Sequence, residues 1–187
     1  QLYTLLRPTE PPPERYGDHW VTVGFQGKDP ATDFRGMGVL ALSDCVYFAR
    51  HHGEEAAQVL EASNHESSWF PFAATGVNVT LFAIESARRG DLQRLFFTYG
   101  ATVETYQEFY SYVYHRFLLA WESEQQTNQA LTVLDFPRVF RSVREEVERE
   151  LAAGGACVLD AVTVGLDKSG KEPELEGPTR QESEKTL

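Results

Sequence analysis

Two cysteines, one methionine and no long apolar run set the first limits on this 187-residue chain. Cys45 and Cys157 are too few for a disulfide framework and suit a reducing compartment. No stretch reaches the roughly 18 consecutive apolar residues of a membrane-spanning helix. Positive charge is scarce: 17 Lys and Arg face 28 Asp and Glu, a formal net charge of −11. That balance argues against nucleic acid or an anionic membrane as the main partner, because both are bound through Lys/Arg neutralisation. Strand-like alternation is nearly absent, and there is no internal repeat. No H-E-x-x-H, C-x-x-C pair or G-x-S-x-G occurs, so metalloprotease, zinc-finger and serine-hydrolase chemistry have no visible basis. Aromatic residues, by contrast, reach 12%, with 42% hydrophobic and 24% charged overall. This is the composition of one globular domain with a substantial core and room for a tail, rather than of a chain disordered throughout. The sequence starts at Gln1 rather than Met, and a trimmed or partial chain is expected.

Along the chain, the short apolar stretch Leu2 to Leu6 precedes a proline cluster (Pro8, Pro11, Pro12, Pro13). Proline removes backbone donors and disfavours helix before it, so residues 1–19 are expected to form an N-terminal connector. Residues 20–36 are dense in Gly, Asp and Pro; Val21-Thr22-Val23 could pass for an isolated strand, and Asp29 before Pro30 reads as an N-cap followed by proline at the first helical position. Beyond Gly38 the chain reads helical: Met37–Arg50 ended by Gly53, a short Glu54–Ala62, a buried Phe70–Arg89 with Gly90 past its end, and a short helix capped by Asp91 through Phe97. Tyr106, Phe109, Tyr110, Val113, Phe117 and Trp121 recur at helical spacing, as do Phe136, Val139, Phe140, Val143, Val147 and Leu151. A short polar connector between them predicts an antiparallel pair. From Gly154 the apolar pattern fades, and residues 154–187 carry 4 basic and 7 acidic residues. The expected organisation is all-α: six or seven helices over residues 20–153, a Gly/Asp-rich loop, and a mostly disordered acidic tail.

Several motifs are decoys. Gly165–Lys171 matches most of a P-loop, but the next residue is Glu172 where Ser or Thr must hold magnesium. Gly36-Met37-Gly38-Val39-Leu40-Ala41 fits a loose dinucleotide fingerprint without the βαβ unit it needs. His51, His52, Glu54 and Glu55 lack metal-ligand spacing and read as a cation-friendly helix end. Asn78-Val79-Thr80 is a formal glycosylation acceptor inside a buried helix. Cys45 reads as a small core residue and Cys157 as a thiol in the tail.

The segment from Trp20 to Gly38 interleaves aromatics with glycine and polar residues at high density. Ordering such a loop is entropically costly, so packing or function must offset it. Its long cation is Arg35, with Phe34 able to anchor one side and Gly36 permitting unusual backbone on the other. Two readings stand: a guanidinium fixed at the surface for use, or an arginine that pairs with Asp29 or Asp33 and locks the loop. Composition alone favours the ion pair.

The run W-x3-GFQGKDPATDFRGMG-x-L resembles the signature of the ELMO domain family. Trp20, Gly24, Phe25, Gln26, Gly27, Asp29, Pro30, Thr32, Asp33, Phe34, Arg35, Gly36 and Gly38 carry the match. Tyr47-Phe48 and Pro71-Phe72-Ala73-x-x-Gly76-x-Asn78-x-Thr80 are also similar to the family pattern, over about residues 1–153. In the short members, the resemblance implies a GTPase-activating protein for Arf and Arf-like GTPases, with Arg35 as an arginine finger acting in trans. The other loop residues are then supports. The longer engulfment scaffolds lack that arginine and bind exchange factors, so the alternative is a non-catalytic module that docks a small GTPase or exchange factor. The domain would hold no nucleotide, metal or other cofactor; its GTP-bound partner supplies GTP and magnesium. A cytoplasmic place near cytoskeleton, cilium or internal membranes is implied. Ser43-Asp44-Cys45 departs from the family pattern, where relatives tend to have apolar or amide residues.

Overall fold

The structure, a computed structural model, describes residues 1–160. Among these residues there are no strands. Seven α-helices run in order: α1 (Leu2–Leu6), α2 (Gly38–His51), α3 (Gly53–Ser63), α4 (Phe72–Arg89), α5 (Gln93–Tyr99), α6 (Val103–Thr127) and α7 (Phe136–Ala152). Three 3₁₀ segments, Asp18–Val23, Pro30–Arg35 and Val133–Asp135, lie between them.

The longest helix, α6, forms the centre. Thr102 caps it by accepting from the Thr105 amide, and Phe109, Tyr110, Val113, Tyr114, Phe117 and Trp121 are all buried. Spaced one, three or four residues apart, they form one broad side of the helix, which packs against α2, α4 and α7. Tyr114 donates to the Phe72 carbonyl at 2.6 Å, and Trp121 Nε1 to the Ser68 carbonyl at 2.8 Å. These bonds let amphipathic rings be fully buried with their polar atoms satisfied. Helix α7 runs antiparallel to α6. Arg116 midway along α6 pairs with Glu146 and Glu150 late in α7, while Glu124 near the end of α6 takes both terminal nitrogens of Arg138 early in α7.

Several local expectations are corrected. Val21–Val23 closes a 3₁₀ segment rather than a strand. Gly53 starts α3 instead of following α2's end, because His52 already breaks the helix and is buried against α6. Asp91 does not cap α5; its carboxylate accepts from Arg89 Nε at 2.8 Å. Leu2–Leu6, within the stretch expected as a connector, is a helical turn whose Leu2, Tyr3 and Leu6 are buried.

The expected tail boundary also moves. Cys157 and Val158 are buried, and burial pushes the Cys157 thiol up to about 11. The Leu159 amide donates to the Glu108 carbonyl at 3.3 Å, and the Asp160 amide to Glu108 Oε2 at 2.7 Å. Glu108 is fully buried on α6. Its other oxygen accepts from the Tyr47 hydroxyl at 2.7 Å and stands 2.8 Å from His52 Nε2. A buried carboxylate needs this full set of donors, and the segment after Gly154 supplies one of them. The rest of the expected tail, 161–187, and the P-loop-like run lie outside the described residues.

Ending the chain after Ala153 removes buried side chains and uncovers Glu108. It should cost about 2–4 kcal/mol relative to a chain ending after Asp160. In thermal denaturation that is a Tm lower by roughly 5–15 °C.

Asp44, on α2, is also fully buried. Its Oδ2 accepts from Thr80 on α4 and Tyr106 on α6, both at 2.9 Å, while Oδ1 has no partner. Burial pushes its carboxyl up to about 6, against the lowering effect of those hydrogen bonds. A carboxyl raised in the folded state binds its proton more tightly there than in the unfolded chain. Its contribution to stability is therefore complete below pH 4 and is lost as pH rises through about 6, by about 3 kcal/mol. Asp44→Asn should abolish that slope between pH 4 and 6 in urea titrations and leave the protein at least as stable as native at pH 7.

Candidate functional site

The loop between α1 and α2 is built on Gly24. Its φ of 78° is left-handed, and a Cβ there would stand 2.1 Å from the Phe72 amide nitrogen at the start of α4. Only glycine permits both that conformation and that approach. The Gly24 carbonyl accepts from the Ala74 amide at 3.3 Å, so the loop is bonded to the first turn of α4. Phe25, the next residue, is buried in the core.

From Phe25 an edge-to-face series of rings spreads both ways. Tyr3 meets Trp20 at 5.6 Å, Trp20 meets Phe25 at 5.5 Å, and Phe25 meets Phe34 at 5.6 Å, with interplanar angles of 71–89°. These are favourable quadrupole geometries. Trp20 Nε1 donates to the carbonyls of Glu14 and Arg15 at 3.1 and 3.0 Å, which fastens the proline-rich segment as well. Lys28 pairs with Asp18 at 3.0 Å, and the Gly17 amide donates to the Lys28 carbonyl.

Asp29 and Asp33 are both engaged by backbone. Asp29 caps the segment Pro30–Arg35 by accepting from the Ala31 amide at 3.1 Å, with Pro30 at its start. Asp33 Oδ2 accepts from the Gln26 amide at 2.8 Å, closing an eight-residue loop. Neither carboxylate pairs with Arg35. Arg35 is exposed, and its Nε donates to the Thr32 carbonyl at 2.9 Å. Its terminal nitrogens make no hydrogen bond or ion pair among the described residues. The loop-locking ion pair expected from composition is thus absent, because backbone amides take both acids. Gly36 has ordinary right-handed backbone at φ −75°; the left-handed residue is Gly38, at φ 60°, which turns the chain into α2. Gly27 has open space around it.

The departure Ser43-Asp44-Cys45 is accommodated by packing. Ser43 is exposed, Asp44 holds Thr80 and Tyr106, and Cys45 Sγ lies 3.4 Å from the Tyr110 hydroxyl beside Gly76.

Beside the loop a groove of about 780 Å³ runs between α1, the Pro30–Arg35 segment and α2. Leu2, Trp20, Phe25 and Phe34 form one wall, and Val39, Leu42 and Val46 the other. Sequence reasoning missed this α2 stripe. Its signal was present as Val39, Leu42, Val46 and Arg50, an i, i+3, i+7, i+11 series, but Ala41, Cys45 and Phe48 form the more complete buried face. No group of three or more potential metal-ligating side chains occurs among the described residues, and no described helix is long and apolar enough to cross a membrane.

The sequence profile of the ELMO/CED-12 family matches residues 1–140, which include the whole loop. The chain belongs to the ELMO/CED-12 family. It is 32% identical over 158 residues to ELMO domain-containing protein B of Dictyostelium discoideum, covering 84% of this chain and 52% of that protein. It is 37% identical over 130 residues to human ELMO domain-containing protein 2, covering 67% and 44%. With human ELMO domain-containing protein 1 it shares 29% over 179 residues, covering 81% and 52%. The chain therefore spans about half the length of the curated relatives it matches. No solved structure matches the chain at a significant level.

Because Asp33 anchors a backbone amide and Arg35 anchors nothing but its own turn, their substitutions should separate. Asp33→Ala should destabilise the ELMO domain by about 1–2 kcal/mol through the orphaned Gln26 amide and the loosened loop. Arg35→Ala should change stability by less than about 0.5 kcal/mol. Paired urea denaturation curves measure both.

Proposed function

We propose that this ELMO domain accelerates GTP hydrolysis by a small GTPase of the Arf or Arf-like group, donating Arg35 in trans. One observation supports this most: an exposed arginine fastened at Nε, with both terminal nitrogens unengaged, on a loop whose own carboxylates are otherwise occupied. A structural arginine would spend its fork on Asp29 or Asp33. Here the fork is left for a group outside the chain, and a planar, permanently charged pair of donors suits phosphate oxygens.

The chemistry needed from the domain is limited. As the γ-phosphoryl group transfers to water, negative charge must be stabilised around it and on the leaving oxygen. The partner supplies nucleotide, magnesium and the water-positioning group. Arg35 supplies two directed N–H donors in a site from which water is displaced, a contribution of about 10³–10⁵ in rate. Trp20, Phe25, Phe34, Gly24, Asp29 and Asp33 act through position: they hold the backbone that carries Arg35.

Single-turnover hydrolysis on a panel of GTP-loaded Arf and Arf-like GTPases tests the reading. The native chain should accelerate at least one. Arg35→Lys and Arg35→Ala should each lower the stimulated maximal rate by about 10³-fold or more, with circular dichroism and Tm unchanged. Full stimulation by a folded Arg35→Ala protein would end the arginine-finger mechanism and leave a docking module.

A further inference from the structure

We infer that the groove between the Arg35 loop and α2 is the surface on which the GTP-bound partner docks, and that Val39 and Arg50 are its principal anchors. The inference rests on the GTPase reading above and adds the surface by which the partner is selected. An arginine reaching into another protein's nucleotide pocket requires that protein's surface to lie against the surroundings of the arginine. One side chain cannot make an interface, which ordinarily covers about 800 Å² on each partner. The groove adjoins Arg35 directly: Pro30, Ala31 and Phe34 of the same 3₁₀ segment line it.

Its chemistry defines the occupant. Val39 is 80% exposed, an unusual position for a branched apolar residue near the start of a helix. Leu42 and Val46 follow on the same face of α2 and are only partly buried. Apolar surface left in water and bordered by the loop is what a partner's apolar side chains would bury. Charge supports the same choice. The whole chain is net −11, yet the lining has no carboxylate and ends in Arg50. With Arg35 at one side and Arg50 on the last turn of α2, the groove is a cationic edge on an acidic protein. It fits a partner that presents apolar side chains flanked by acidic groups, next to bound nucleotide. Charge alone would also admit a second copy of this acidic chain, but only the GTPase brings a bound nucleotide to Arg35, so the surface is assigned to the GTPase.

Val39→Asp is the decisive variant. Val39 packs against nothing in the core, and an acid in the first turn of α2 suits the helix dipole, so folding should be retained. Arg50→Glu tests the charge independently. Leu134→Asp is the control, an equally drastic change at a residue that is 86% exposed and outside the groove. In single-turnover hydrolysis titrated with the ELMO chain, Val39→Asp and Arg50→Glu should each raise the half-saturating concentration about tenfold or more. The maximal rate should stay near native, and the Arg50→Glu effect should shrink at high salt. Arg35→Ala should do the reverse, lowering the maximal rate with half-saturation nearly unchanged. Native half-saturation in both groove variants, with a stimulating native chain, would overturn the groove assignment and leave the arginine finger standing. A native chain that stimulates no GTPase in the panel would overturn both. If sedimentation shows a native dimer that Val39→Asp dissociates, the groove is a self-association surface and the assignment fails.

Discussion

The close approach of Gly24 to α4 settles where everything in the candidate site can be. The contact is backbone to backbone, so it has none of the adaptability of side-chain packing. A Cβ would stand 2.1 Å from the Phe72 nitrogen, and no rotamer could relieve that. With Gly24 fixed, Phe25 has only the core to enter, and its ring edge fixes Trp20 on one side and Phe34 on the other. Asp33 is then placed to take the Gln26 amide. Arg35 follows Phe34 in the same short segment and has one backbone anchor. The arginine's position is therefore inherited from a helix start nearly forty residues further along the chain.

Helix α2 is held by a different device. Two fully buried carboxylates, Asp44 and Glu108, bind it to α4 and α6 through hydroxyls and an imidazole. Such groups contribute little net stability compared with apolar packing, because desolvation offsets most of the gain. They do restrict geometry: a slipped helix would leave a buried acid without donors. Asp44 has one unpartnered oxygen, and burial pushes its carboxyl up to about 6. Glu108 draws a further donor from the Asp160 amide. Polar pairing on the inner face of α2 sets the register of its outer face, so Val39, Leu42 and Val46 line the groove beside the loop.

The long helices were legible because their evidence is local and repeated. Six aromatic or branched residues at helical spacing from Tyr106 to Trp121 leave little choice, and Asp29 before Pro30 marks a capped start that the structure contains. Features decided by distant partners were not legible. Leu2–Leu6 is too short to show periodicity, and its burial depends on residues packed from elsewhere in the chain. Gly53 looks like a helix stop until His52, bound to Glu108, ends α2 one residue earlier. Cys157 and Val158 lie in a sequence of tail-like composition, yet they are packed because Glu108 needs the donor that follows them. At the site, the acids beside Arg35 invited an ion pair. The Gln26 amide that displaces the arginine from Asp33 depends on a chain reversal that composition does not reveal.

The arrangement also bears on why the loop is so heavily anchored for one exposed side chain. Arginine carries about 2 kcal/mol of rotamer entropy, and a guanidinium that must first be found by random search loses that much when it engages phosphate. The Nε bond to Thr32 and the packed Phe34 beside it have restricted the stem before any partner arrives. What remains mobile is the terminal fork, which must adjust to the partner. Lysine at position 35 would have neither a mid-chain donor for the Thr32 carbonyl nor a planar pair of donors for two oxygens. It would keep the charge and lose both the anchoring and the directionality. On the proposed reading, the ring series and the Asp33 closure matter less for fold stability than for holding the stem of Arg35 within the narrow range from which a fork can reach a transferring phosphoryl group.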